Sequence, residues 1–284
     1  MSKTATTWEL MKSAWQVLMR DKVLLLFPVV SGVACFLVLL TFIVPAIGIG
    51  GGGMGRLAQG TGGVAGYVLL FGYYLCNFFV IFYFNAALVD FVATRLRGGE
   101  PTVGASLRAA SACIPQIAMW AVISSTVGLV LNVLQRRSGF LGKIVMSLLG
   151  VAWTLVTYFV VPFIIIERKG AFEAVSGSKE LLAKTWGKQL ISGLGYGVIG
   201  FLLVIPALVV FVVAVIVVAV SHGQHVASMA SIGVLAMIYL IGLGIVLSTL
   251  RAIFGVVLYL YAKTGEAPQG FNTANLRGAI QPAA

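Results

Sequence analysis

Arg251, Asp90, Asn77, Asn85 and Asn132 stand inside long apolar runs of a chain of 284 residues. Side chains of these types are penalised in an apolar medium unless paired or hydrated, so an intramembrane position marks them as candidates for function. Arg251 has apolar sequence on both sides and lies 12 residues before Lys263. That is about 18 Å along a helix at 1.5 Å per residue, too deep for its guanidinium to snorkel easily. Asp90 is a candidate counter-charge, and the three asparagines offer hydrogen bonds. Two chemistries fit the set: an interhelical polar clamp, or an arginine that binds an anion or gates a path.

Other reactive patterns are sparse. The sequence has no H-E-x-x-H, no G-x-S-x-G and no phosphate-binding P-loop. Ser176-Gly177-Ser178-Lys179 holds a serine and a lysine on an expected surface helix, with no third group to orient them. His222 and His225 are three apart in an expected outer loop that has no carboxylate to complete a metal site. Cys35, Cys76 and Cys113 sit in or beside apolar stretches and read as small hydrophobes. The glycine-dense run from Gly48 to Gly55 reads as a connection, and Gly193, Gly197 and Gly200 as a helix-packing face. No catalytic residue, cofactor or metal is expected.

Composition sets the elements that must hold these residues. The chain is 60% hydrophobic and 10% charged, with a mean hydropathy of +1.05, whereas a globular domain is about 45–50% apolar and about 25% charged. A soluble enzyme or receptor domain is thereby excluded. Apolar runs at 23–49, 64–92, 113–134, 144–166, 191–220 and 229–262 each reach the roughly 20 residues that cross a bilayer core of about 30 Å. The expected fold is all-α: a polytopic helical membrane protein with six transmembrane helices in a single integral membrane domain, 1–284. The first run is too long for the apolar core of a cleaved signal and reads as an anchor. Pro162 and Pro206 are the expected kinks.

Orientation follows from the basic residues. Fourteen of the 19 lysines and arginines fall in the two termini and the second and fourth loops, and four (Arg56, Arg136, Arg137 and Lys143) fall on the other side. The positive-inside rule then puts both termini in the cytoplasm, with 263–284 a cytoplasmic tail, although the Arg136-Arg137 pair runs against it. The net charge of +11 suits anionic headgroups rather than nucleic acid, because it gathers in short connections between apolar runs.

Cytoplasmic amphipathic interfacial helices are expected ahead of the spans. Thr6 and Glu9 have capping-box spacing, and Trp8, Met11, Trp15 and Leu18 follow at helical intervals. Phe172, Val175, Leu182 and Trp186 form a second stripe accompanied by Lys179, Lys184 and Lys188. Such helices bury one face among headgroups or cap the bundle floor. The stretches 83–101, 158–173 and 253–268 share an aromatic residue, an apolar run, a basic residue, glycine and glutamate. They suggest repeats over 1–92, 93–166 and 167–262.

The stretch from Trp8 to Pro28, Asn85-Ala-Ala-Leu-Val-Asp90 with Arg97-Gly-Gly-Glu-Pro-Thr102, Ala152 to Pro162, and Ser178 to Gly187 together resemble an uncharacterised family of bacterial polytopic membrane proteins. The likeness covers about residues 8–200 and implies a multi-pass bacterial inner-membrane protein, with no activity to carry over. A fainter likeness to membrane domains of glycerophosphodiester phosphodiesterases lacks those enzymes' catalytic carboxylates and histidines. The resulting functional expectation is a non-enzymatic inner-membrane protein that organises lipid, a partner protein or a second copy of itself through its cytoplasmic helices. The alternative is a small transporter or channel for an anionic or polar solute. Carboxylates in mid-membrane, common in ion-coupled carriers, are scarce here.

Overall fold

The computed structural model describes residues 3–50, 63–186, 226–273 and 276. The expected span at 191–220, both histidines, Gly193, Gly197, Gly200 and Pro206 lie outside the described residues. Among those described, every regular element is a helix. Helix α1 (Lys3–Arg20) leads through a 3₁₀ turn (Lys22–Leu25) into α2 (Leu26–Gly50). Then come α3 (Gly63–Leu96), α4 (Val103–Ser111), α5 (Ile114–Arg137), α6 (Phe140–Val156), α7 (Val160–Ile166), α8 (Ala171–Trp186) and α9 (Val226–Thr264).

Five stretches among the described residues are long and apolar enough to cross a membrane: Lys22–Pro45, Val64–Leu96, Ile114–Gln135, Gly142–Ile166 and Gly233–Thr264. They fall on five of the six expected runs. The protein is therefore a helical membrane protein. Two local expectations change. Helix α2 continues through Gly48–Gly50, where a connection was expected. Helix α1 already runs through Thr6, so Thr6 does not begin it.

The chain divides into two compact units. One comprises Met1–Leu25, Trp186–Phe254 and Gly270–Ala284; the other comprises Leu26–Thr185 and Gly255–Gln269. In the second, α3 is the central helix, packing against α2, α4, α5 and α7. Rings join the layers: Phe27 meets Phe91 edge-on at 6.0 Å, Phe82 meets Trp120 at 5.6 Å, and Trp120 stacks on Trp153 at 5.9 Å. Such offset and edge-on pairs add directional packing to area burial.

Burial in this unit is concentrated at the helix ends nearest the basic connections. Ala86 to Val89 and Phe91 to Ala93 of α3, Ile117 and Trp120 of α5, Phe159 to Ile165 around α7 and Val256 to Leu260 of α9 are buried. Elsewhere large apolar side chains face outward, such as Phe36, Leu37 and Val44 on α2, Val64 and Val68 on α3, and Leu148 and Val151 on α6. Contiguous apolar surface of this kind is untenable in water and suited to acyl chains.

The helix ends carry distinct stops. Gly98 (φ +84°) follows α3, with its N–H on the Arg95 carbonyl and the Gly99 N–H on that of Thr94, the paired bonds of a Schellman cap. Gly265 (φ +74°) ends α9 with a single bond to the Tyr261 carbonyl. After α7 the left-handed position falls to Arg168 (φ +56°), a non-glycine residue in glycine's usual place.

Candidate functional site

The fourth span is interrupted. Thr157 to Phe159 separate α6 from α7, five to three residues before Pro162. Pro162 has no N–H and its ring crowds the preceding turn, so the break falls upstream of it. The expected kink is thus a break into two helices. The Tyr158 N–H turns to the Leu155 carbonyl and the Val160 N–H to that of Thr157. This leaves the Val156 carbonyl and the Phe159 N–H without their α-helical partners.

Ser178 of α8 supplies both. Its Oγ donates to the Val156 carbonyl at 2.6 Å and accepts the Phe159 N–H at 3.1 Å, and the residue is fully buried. A Cβ at the adjacent Gly177 would lie 2.9 Å from the Phe163 ring, so only glycine lets α8 sit this close to α7. The hydroxyl is spent on backbone, and Lys179 is exposed on another side of the helix. Ser178 is thus engaged as a backbone partner and not as a nucleophile beside Lys179.

Below the break, charge gathers on Glu167. Lys263 Nζ lies 2.8 Å and Lys169 Nζ 3.2 Å from its carboxylate, and the Tyr259 hydroxyl donates to it. Both ammonium groups also stand over the buried Phe163 ring, at 4.7 and 5.2 Å from its centroid. Partial burial pushes the Glu167 carboxyl up. Hydrogen bonds from Lys263, Tyr259 and Lys169 and the charge of Lys263 outweigh it, leaving the group below its ordinary value. Arg168 reaches the other way, donating to the Ala109 carbonyl at 2.9 Å in the last turn of α4 and approaching the buried Cys113 Sγ at 2.9 Å. Together these contacts make a structural lock joining α4, α5, α7, α8 and the end of α9.

Sequence reasoning missed Glu167, Tyr259, Phe163 and Ser178. A glutamate next to a span end with basic neighbours was the available signal for the first. Nothing in the sequence marks a serine as the partner of a break in another helix.

The intramembrane candidates are placed as follows. Asn77 donates to the Tyr73 carbonyl one turn back at 3.0 Å, so it serves its own helix. Asn85 and Asp90 are half-buried on α3, in the second unit. Arg251 is exposed on α9, in the first unit. Asn132 lines a cleft of about 540 Å³ between α5 and α6, together with Gln135, Ser147 and Thr154. Among the described residues no three histidine, cysteine or acidic side chains group into a metal site.

The surface stripes divide differently from expectation. On α1 the buried face is Leu10, Ala14 and Leu18, while Trp15 is 43% exposed and Met11 lies between. On α8 the buried face is Ala171, Ala174, Ser178, Leu181 and Leu182, and Phe172 is 70% exposed, with Val175 half-buried. Phe172 and Leu182 therefore do not share a buried face. Small residues allow the closest approach to α7, so α8 rolls them inward and leaves the large ring outside. The side chains of Trp8 and Trp186 lie outside the described residues.

No curated protein and no solved structure is similar to the chain. The fainter likeness to phosphodiesterase membrane domains therefore has no support from these comparisons. Residues 64–270, which hold α3 through α9, match a family described as "Family of unknown function (DUF6159)", and the chain belongs to that family.

Proposed function

We propose that this is a non-enzymatic membrane protein of the bacterial inner membrane, with both termini cytoplasmic, whose helices α1 and α8 engage anionic lipid headgroups and thereby organise lipid, a partner protein or a second copy. One observation carries this reading. Both helices bury a face of leucine with alanine or serine and still turn further large apolar side chains outward beside cations. Trp15 and Met19 are exposed on the side of α1 that carries Lys12, and Phe172 is exposed on α8 beside Lys179. An aromatic ring flanked by lysine suits the headgroup region, where its apolar body and the cation are both accommodated.

The test is fluorescence depth-quenching in vesicles containing phosphatidylglycerol. Variants keep a single tryptophan, either Trp15 or one introduced by Phe172→Trp, and lipids brominated at different depths act as quenchers. Shallow quenchers should act best on both positions. Tryptophans insensitive to every quencher would contradict the reading.

The alternative, a small transporter or channel for an anionic or polar solute, draws on Arg251, exposed on a membrane-spanning helix.

A further inference from the structure

Three of the four basic residues on the sparsely charged side, Arg136, Arg137 and Lys143, flank the tight turn at Ser138-Gly139 between α5 and α6. Basic residues are depleted on that side of inner-membrane proteins, so a cluster there calls for a reason. No carboxylate occurs between Glu100 and Glu167. All eight acidic residues of the chain fall in segments that the topology assigns to the opposite side or to its membrane boundary. The counter-charge for the turn must then come from outside the chain.

The cleft between α5 and α6 opens beside this turn. Lys143 is exposed in the first turn of α6, and Ser147, Gly150 and Thr154 follow it down one stripe of that helix. From Ser147 to Leu155 the cleft runs about 12 Å at 1.5 Å per residue, inside the roughly 15 Å that one leaflet contributes to the hydrocarbon core. Its polar groups are graded along that axis. Gln135, Asn132 and Ser147 stand toward the turn. Deeper in, the Thr154 hydroxyl is spent on the Gly150 carbonyl at 2.9 Å, leaving an apolar lining with Leu155. A Cβ at Gly150 would meet nothing within 4 Å, so the cleft is open at its floor.

We propose that this cleft binds one anionic phospholipid. The basic turn takes the phosphate, Asn132, Gln135 and Ser147 take the glycerol ester region, and an acyl chain lies along Gly150 toward Leu155. The proposal goes beyond the headgroup contacts of α1 and α8, and it rests on the reading that the α5–α6 turn meets a membrane surface.

Native mass spectrometry of the full chain, released from detergent after titration with dioleoyl phosphatidylglycerol or dioleoyl phosphatidylcholine, tests it. The wild type should retain one phosphatidylglycerol in preference to phosphatidylcholine. Arg136→Gln, Arg137→Gln and Lys143→Gln should each lower that preference, by roughly fivefold for a cation near the phosphate. Gly150→Leu, whose Cβ would meet nothing within 4 Å and whose longer side chain would occupy the cleft, should expel the retained lipid of either kind. Millimolar inorganic phosphate should not displace the lipid, because the chain is part of what is bound. Equal retention of the two lipids by the wild type, an undiminished preference in the triple Gln variant, or displacement by phosphate would each overturn the proposal. Trp15→Glu and Phe172→Glu separate the two readings. Loss of the retained lipid in these variants alone would assign it to α1 and α8, against the cleft.

Discussion

Glu167 gathers two ammonium groups and a phenol at the end of α7. Because its carboxyl lies below the ordinary value when folded, its contribution to stability is present above the unfolded value of about 4.3 and is lost as pH falls through the folded one. Acid titration of the protein in bicelles should therefore show stability declining below the ordinary carboxylate range. Glu167→Gln should be less stable at neutral pH and show a shallower decline; an unchanged acid limb in the variant would mean that another group carries it. Arg251 poses a different question at the same scale. An arginine at mid-membrane is disfavoured by about 2.5–3.5 kcal/mol on insertion scales, so a partner or hydration is required. If it is a polar clamp with Asp90 or an intramembrane asparagine, Arg251→Leu alters stability and leaves anion flux in proteoliposomes unchanged. A wild-type flux that disappears in Arg251→Leu would favour the transporter reading instead.

Among elements, the pair α7 and α8 shows what the sequence concealed. The fourth span was legible as one apolar run with a proline, because hydropathy and length nearly suffice where lipid forces helical hydrogen bonding. Its division was only partly legible: Pro162 announces a disturbance, but the break is sustained by Ser178, outside the span. The roll of α8 was not legible. A hydrophobic stripe points to the face carrying Phe172, whereas the approach of Gly177 to Phe163 decides in favour of the small residues. Ser178→Ala removes the hydroxyl that serves the buried Phe159 N–H and the half-buried Val156 carbonyl, and a buried backbone group left unpaired costs about 1–3 kcal/mol. Unfolding in bicelles should register a loss in that range, and Ser178→Thr, which keeps the hydroxyl, should lose less. Equal stability of Ser178→Ala and wild type would mean that the break is satisfied some other way.

At the scale of the whole molecule, a packed, charge-locked end and exposed apolar helix flanks belong to one design. Lipid replaces protein as the neighbour of Phe36, Leu37, Leu148 and Val151, while tight packing is kept for the ends where basic connections enter and leave. The five spans among the described residues were readable from length and hydropathy, and the basic-residue asymmetry is the ground on which their orientation is proposed. The proposed function requires α1 and α8 each to lie on the cytoplasmic side of the membrane. Single cysteines at Gln16, Ser176 and Gly139, in a background where Cys35, Cys76 and Cys113 are replaced by serine or alanine, test it with a membrane-impermeant maleimide on spheroplasts. Gly139→Cys should label from outside, and Gln16→Cys and Ser176→Cys only after lysis. Labelling of either helix position in intact spheroplasts, with Gly139→Cys protected, would contradict it.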